Sequence, residues 1–439
     1  MAGYLLNTEP QQKEMLDALG LKSLDELYKG LPEALLLPNG PDIPEGLAEQ
    51  GILQVFEKLT GKNNVFPHIF RGAGAYKHYI PAVVPAMVGK ERFITGYTPY
   101  QAEVSQGTLQ SIFEFQTMIC ELTGLDASNA SMYDGASAAA EAIAMCKDRK
   151  RTKALVIGAV NPRTTDTVKT YCWASDTPVD VVQTKDGVCD LDALSQMLTD
   201  DVACVLFQQP NYFGLLEDAP AIAELVSSKG AKVIMSVNPI ASAVLQTPGE
   251  CGADIAVGEG QPLGIPLSFG GPYLGFIAAK SALTRKLPGR IAGETTDETG
   301  KRAFVLTLQA REQHIRRETA GSNICSNQAL MAMAASVYMA AMGPQGLKEV
   351  AMQSYSKAHY LADELDKIKG FELAHSGPFF HEFVTRCPAE PEKLMAHLEK
   401  SGMLGGLPLP SGDILWCATE MNSKEEMDTL VSLCKEVVT

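Results

Sequence analysis

Residues 202–239 read VACVLFQQPNYFGLLEDAPAIAELVSSKGAKVIMSVNP. Two near-continuous apolar runs, 202–207 and 233–237, flank a segment, 220–228, whose apolar residues recur at helical spacing. Strands that read as unbroken β-branched runs, rather than as an alternation, belong to a sheet buried on both faces. The pattern continues outward in both directions. Further runs stand at 154–157 (ALVI), 179–182 (VDVV) and 255–257 (IAV), and helical segments at 162–173 and 191–198 fall between them. Short buried strands alternating with helices predict an α/β domain built on a mostly parallel sheet covered on both faces.

Beyond this block the periodicity changes. Residues 107–122 read as a helix with Leu109, Ile112, Phe113, Phe115, Ile119 and Leu122 mostly on one face. Helical spacing returns at 327–342 and 347–368. The end then reads strand (371–374), strand (380–385), helix (391–401), strand (414–418) and helix (424–437), a small α+β domain. The first hundred residues are irregular. They contain a short helix at 11–19, capping-box spacing in Ser23-Leu24-Asp25-Glu26, a Pro- and Gly-rich stretch at 31–46 and an amphipathic segment at 47–59. Such a segment suits an arm packed against a second chain. The expected division is therefore an arm and interface segment at 1–106, a large domain at 107–325, and linking helices with the small domain at 326–439.

A formal net charge of −15 disfavours non-specific binding to nucleic acid or to an anionic membrane. No apolar stretch approaches the roughly 18 residues of a membrane span, and residues 1–12 lack the pattern of a secretory signal. The ten cysteines are scattered without a CxxC pair, which reads as free thiols in a reducing, cytoplasmic setting. The seven histidines show no ligand spacing, so no metal site is expected.

One segment has the make-up of an anion cradle: Tyr133-Asp134-Gly135-Ala136-Ser137, leading into an alanine-rich helix. Gly and small residues there let an anion approach backbone N–H groups at a helix N-terminus. A tight turn into a closely packed helix is the alternative. The order of parts, with Gly270-Gly271-Pro272 near the end of the sheet and the small domain after it, looks like the large/small-domain fold of aspartate-aminotransferase-type pyridoxal-phosphate enzymes (fold type I), which implies a mostly parallel sheet of the seven-stranded type. Such an enzyme needs a lysine amine to form an imine with the cofactor and a carboxylate beside the pyridine nitrogen. Both are missing. Asn238 follows the run 233–237, where the carboxylate is expected. No lysine occurs between Lys232 and Lys280, and Gln261 stands in the lysine slot.

Several longer motifs then carry a family resemblance: GAGAYKHYIP (72–81), TGYTPYQAE (95–103), NASMYDG (129–135), REQHIRRE (311–318) and SNIC (322–325). Over essentially its whole length the chain resembles the N-terminal-half subunit of the glycine cleavage system P-protein. The resemblance implies glycine dehydrogenase (decarboxylating) activity with pyridoxal phosphate bound mainly by a lysine-bearing partner, subunit 2. It also implies a heterodimer, doubled into a dimer of heterodimers, and a lipoylated H-protein as acceptor of the aminomethyl group left when glycine loses carbon dioxide. Tyr97, Thr98, Tyr100 and Gln101 are then expected to complete the partner's site, since two phenols about a Pro-stiffened turn can present hydroxyls to a neighbour. Arg71, Tyr76, His78, Arg311, His314 and Asn323 are substrate or interface candidates. Gly135, Ala136 and Ser137 form a vestigial phosphate loop. The basic stretch Arg285, Lys286, Arg290, Lys301, Arg302, Arg311, Arg316 and Arg317 is a candidate docking surface for an acidic carrier. The rival reading is a structural or regulatory scaffold without substrate contacts.

Overall fold

Seven strands make the central sheet of the computed structural model, which describes residues 6–37 and 40–438. In chain order they are β1 (Ala127–Ser128), β2 (Lys153–Ile157), β3 (Val179–Val182), β4 (Val202–Gln209), β5 (Lys232–Val237), β6 (Ile255–Glu259) and β7 (Gly275–Ala279). Their spatial order is β1-β7-β6-β5-β4-β2-β3. β2 to β6 pair in parallel, and β7 runs antiparallel to both β6 and β1.

Successive residues of each strand enter different cores, which is why the strands read as unbroken apolar runs. Leu155, Ile157, Val205, Phe207, Val233 and Met235 face one side, with Phe115, Ile119, Ile222 and Tyr338. Ala154, Val156, Cys204, Leu206 and Ile234 face the other, with Ala139, Ile143 and Val168. The covering helices on the first side are α1 (Gln106–Thr123) and α5 (Ala219–Ser228), together with α4 (Leu191–Met197). On the second side lie α2 (Gly135–Cys146) and α3 (Pro162–Ala174).

The two helical stretches expected after residue 326 form one long element, α6 (Ala329–Asp366), broken at Gly343, whose φ of 62° and ψ of 177° are non-helical, just before Pro344. Its first half packs on the large-domain core through Ala332, Ala335 and Tyr338. Its second half enters the small-domain core through Ala358, Leu361 and Leu365, beside Trp416, Phe383 and Leu430. Helices α7 (Pro391–Lys400) and α8 (Lys424–Val438) complete that layer against an antiparallel four-stranded sheet that includes Glu382–Arg386 and Ile414–Cys417. A hairpin, Ile291–Thr296 with Arg302–Thr307, follows β7; it has no counterpart in the reading of the sequence, because neither strand alternates: Ala303 to Leu306 is one apolar run and Glu294 to Thr296 is polar and exposed.

The chain divides into two compact units, residues 1–65 and 66–439. The first holds helices Glu9–Leu19 and Glu49–Thr60, and none of its described residues is buried. Residues 1–5, the start of the expected arm, and Pro38-Asn39 of its Pro-rich stretch lie outside the described residues. The capping box expected at Ser23 does not form. Ser23 makes no side-chain cap, Glu26 instead accepts from the Lys22 N–H, and Leu24–Tyr28 is a single 3-10 turn. A turn this short has too few orphan N–H groups to reward the reciprocal cap. All ten cysteines are free thiols, seven of them buried. Among the described residues no helix is long and apolar enough to cross a membrane.

Candidate functional site

In open parallel sheets, ligands enter at the carboxyl ends of the strands. There, past the ends of β4, β5 and β6, lies a cavity of about 170 Å³ lined by Tyr76, Gly135, Asn161, Gln208, Asn238 and Glu259. The N-terminus of α2 opens onto it, and the cradle residues are already engaged. The Asp134 carboxylate accepts from the Ser137 N–H at 2.7 Å, while the Ser137 hydroxyl donates to the Asp134 carbonyl at 3.0 Å. Glu259 supplies the anion. Its Oε2 accepts from the Gly135 N–H at 3.0 Å, and its Oε1 from the N–H groups of Gln261 (3.0 Å) and Leu274 (2.9 Å). Burial pushes this carboxyl up to about 7, against the pull of the three N–H donors. Gly135 is required here, since a Cβ would come within 2.9 Å of the Glu259 backbone nitrogen.

Gln261 is 2% exposed and fully engaged. Its Oε1 accepts from the Tyr76 N–H at 2.8 Å, and its Nε2 donates to the carbonyls of Tyr76 (2.9 Å) and Ile265 (2.7 Å). Tyr76 passes the link on to the small domain: its hydroxyl donates to Glu382 Oε2 at 2.7 Å, and Glu382 Oε1 accepts from the Ala73 N–H at 2.6 Å. Burial raises the Glu382 carboxyl to about 7. His78 shares a 2.7 Å hydrogen bond with Glu420, and Arg71 donates to the carbonyls of Gly405 and Gly406. Arg71, Tyr76 and His78 thus lie together at the seam with the small domain, with Tyr76 and His78 buried. Asn238 accepts from the N–H groups of Ile240 and Ala241 through Oδ1, and its buried Nδ2 has no protein partner among the described residues.

A second constellation gathers other predicted residues. Tyr97 and Tyr100 are 84% and 54% exposed. The Tyr97 hydroxyl shares a 2.9 Å hydrogen bond with the Ser326 hydroxyl. The Tyr100 hydroxyl accepts from Arg290 Nη2 at 3.2 Å, the Arg290 guanidinium lies 5.2 Å from the Tyr100 ring centre, and the His314 ring meets that ring edge-on at 6.1 Å. Arg290 and Glu312 are both buried, at 2% and 4% exposed. Burial raises the Glu312 carboxyl, and His314, Arg290 and Arg311 pull it back. Arg311 donates to the Leu287 carbonyl, and its Nε and Nη2 have no protein partner among the described residues. The Thr98 hydroxyl is buried without a partner among the described residues, Gln101 heads a 3-10 turn at Ala102–Val104, and Asn323 lines a separate cavity with Tyr133 and Tyr171.

The match to known proteins is extensive. The sequence profile described as "Glycine cleavage system P-protein" matches residues 2–434. The chain belongs to this family. A protein of Desulfitobacterium hafniense described as a probable glycine dehydrogenase (decarboxylating) subunit 1 is 46% identical over 443 residues, covering 99% of each chain. A crystal structure described as glycine decarboxylase (P-protein) of the glycine cleavage system, in inhibitor-bound form, superposes with a TM-score of 0.94. It is 41% identical and covers 99% of this chain and 100% of that one. Sphingosine-1-phosphate lyase of Burkholderia pseudomallei shares the fold alone, at a TM-score of 0.68 and 12% identity over 92% of each chain. The architecture is that of pyridoxal-phosphate enzymes of fold type I.

Within that fold, the strand-end cavity of this P-protein chain does not fit the cofactor. No lysine lines it, Asn238 at the position expected of the carboxylate is neutral, and Glu259 already holds the Gly135 N–H at the head of α2. Reading the sequence missed Arg290 as a partner of Tyr100 and did not single out Glu312, Glu259 or Glu382 as site residues. Glu259 did leave a trace, an acid placed directly at the end of an apolar strand and two residues before the lysine slot. The basic stretch does not form one surface. Arg290 is buried, Arg302 pairs with Glu294 at 2.8 Å, and Lys286 donates to the Met145 and Lys147 carbonyls at the end of α2. Among the described residues no cluster of three metal-binding side chains occurs.

Proposed function

We propose that this chain is the non-lysine subunit of a heteromeric glycine decarboxylase. A second subunit bears the lysine and the pyridoxal phosphate, and the pair releases carbon dioxide from glycine. The remaining aminomethyl group goes to the lipoyl disulfide of an H-protein, one sulfur bonding the carbon and the other ending as a thiol. The observation carrying this reading is the amide of Gln261, hydrogen-bonded at both ends in the slot where an autonomous enzyme needs a free amine. This chain contributes the exposed phenols of Tyr97 and Tyr100, held by Ser326 and Arg290, with Thr98 and Gln101 on the same loop. His314 backs that loop from the large domain, its ring edge-on to Tyr100.

The test is glycine-dependent carbon dioxide release with lipoylated carrier, for the chain alone and after addition of the lysine-bearing subunit. Turnover only in the mixture supports the reading, and turnover by the chain alone overturns it. A scaffold without substrate contacts predicts instead that Tyr97→Phe and Tyr100→Phe leave turnover of the intact complex unchanged.

A further inference from the structure

The strand-end cavity holds an anion of its own. Three backbone N–H groups from three separate segments converge on one carboxylate: Gly135 at the head of the twelve-residue α2, Gln261 after β6, and Leu274 before β7. Converging backbone N–H donors can serve a phosphate oxyanion as well as a carboxylate, and the helix N-terminus contributes its partial positive charge. Gly135 keeps the approach open for a ligand atom, yet what lies against it is Glu259. The Ser137 N–H is taken by the Asp134 carboxylate, and the Ser137 hydroxyl is turned onto the Asp134 carbonyl. A neighbouring buried donor, Asn238 Nδ2, is left without a protein partner among the described residues, so the cavity retains polarity without a free cation.

We infer that Glu259 is the built-in anion of this pocket and that it bars phosphate monoesters from this chain. A phosphate entering the cradle would have to displace Glu259 from all three N–H groups. If it did not, two anions would share one small, poorly solvated cavity, where their repulsion is strong. Exclusion therefore rests on occupancy as well as on the missing lysine. Restoring a lysine at position 261 would not by itself make a cofactor site. The inference concerns this chain alone and does not depend on the assembly proposed above.

The experiment uses the full chain at pH 8, with inorganic phosphate as probe and chloride at matched ionic strength as control. Thermal midpoints and calorimetric titration are read for the wild type and for Glu259→Ala. The wild type is expected to show no saturable phosphate binding. Glu259→Ala is expected to gain one site with a dissociation constant of about 1 mM, a free energy of roughly −4 kcal/mol. Its midpoint should rise with phosphate as mass action requires, and phosphate should slow amide exchange in the peptide containing Gly135. Saturable binding to the wild type at the same affinity overturns the inference. So does a folded Glu259→Ala that binds no phosphate, or that binds it without protecting Gly135. Should Glu259→Ala not fold, Glu259→Ser, which removes the charge and frees the same N–H groups, replaces it under the same criteria, and saturable phosphate binding to the wild type overturns the inference on its own.

Discussion

Gln261 grips the backbone of Tyr76 with both ends of one amide: the Tyr76 N–H donates to its Oε1 at 2.8 Å, and its Nε2 donates to the Tyr76 carbonyl at 2.9 Å. A side chain two residues past β6 thereby fastens a segment 185 residues earlier in the chain, as a neighbouring strand would. The residue at the position expected of the lysine is a structural tie. Gln261→Ala leaves three buried backbone groups without partners, each costing about 1–3 kcal/mol. Denaturant titration should show a loss of at least 2 kcal/mol, on the same principle. Gln261→Lys should be no better, because an ammonium cannot accept from the Tyr76 N–H, and it should develop no visible imine absorption with pyridoxal phosphate.

Tyr76→Phe removes the donor to Glu382, a carboxyl that is itself buried. Stability should fall by roughly 1–3 kcal/mol, with the fold and its near-ultraviolet spectrum retained. An unchanged denaturation midpoint would mean that the bond contributes nothing.

Glu382 also sets a pH dependence. Burial raises its carboxyl from the ordinary 4.5 to about 7, so the folded chain binds this proton more tightly than the unfolded chain. The stability it contributes is complete below pH 4.5 and is lost as pH rises toward about 7. Glu382→Gln should therefore be relatively more stable at pH 8 than at pH 5, and the difference from wild type should change across that window. Parallel stability curves would contradict it.

Arg290→Met removes the cation that holds the Tyr100 hydroxyl and faces Glu312. In the complex with the lysine-bearing subunit, kcat/KM for glycine should drop about tenfold or more, equivalent to about 1.4 kcal/mol of barrier. Tyr100→Phe should lose a similar amount if the phenol acts at the partner's site. Co-purification of the two subunits, measured in parallel, separates loss of the loop from loss of the complex.

Gly214 has a φ of +84°, and a Cβ there would lie 1.9 Å from the Glu382 carbonyl oxygen. Gly214→Ala should cost more than about 4 kcal/mol and yield little folded protein. Recovery of normal amounts with a normal melting point would show that the seam between the domains can yield.

Much of this was legible before any coordinates. The runs of β2 to β6 declare a doubly covered parallel sheet because residues facing either core must be apolar, and the absent lysine and carboxylate are plain from residue identity. Antiparallel β7 and the hairpin after it were not legible, since strand direction depends on pairing between distant segments and leaves no local mark. Three of the four small-domain strands were placed to within a residue or two, because helices of clear period lie beside them; the two-residue strand Leu407–Pro408 was not, being too short for a pattern. The partners were decided by tertiary structure alone. Nothing local tells that Gln261 meets Tyr76, that Glu259 turns back to the head of α2, or that Arg290 is buried against Tyr100 rather than exposed with its basic neighbours. Each contact joins segments far apart in sequence, and each polar group is satisfied only when the fold brings its partner in. The sequence determined which groups this chain lacks; the tertiary structure decided what fills their places.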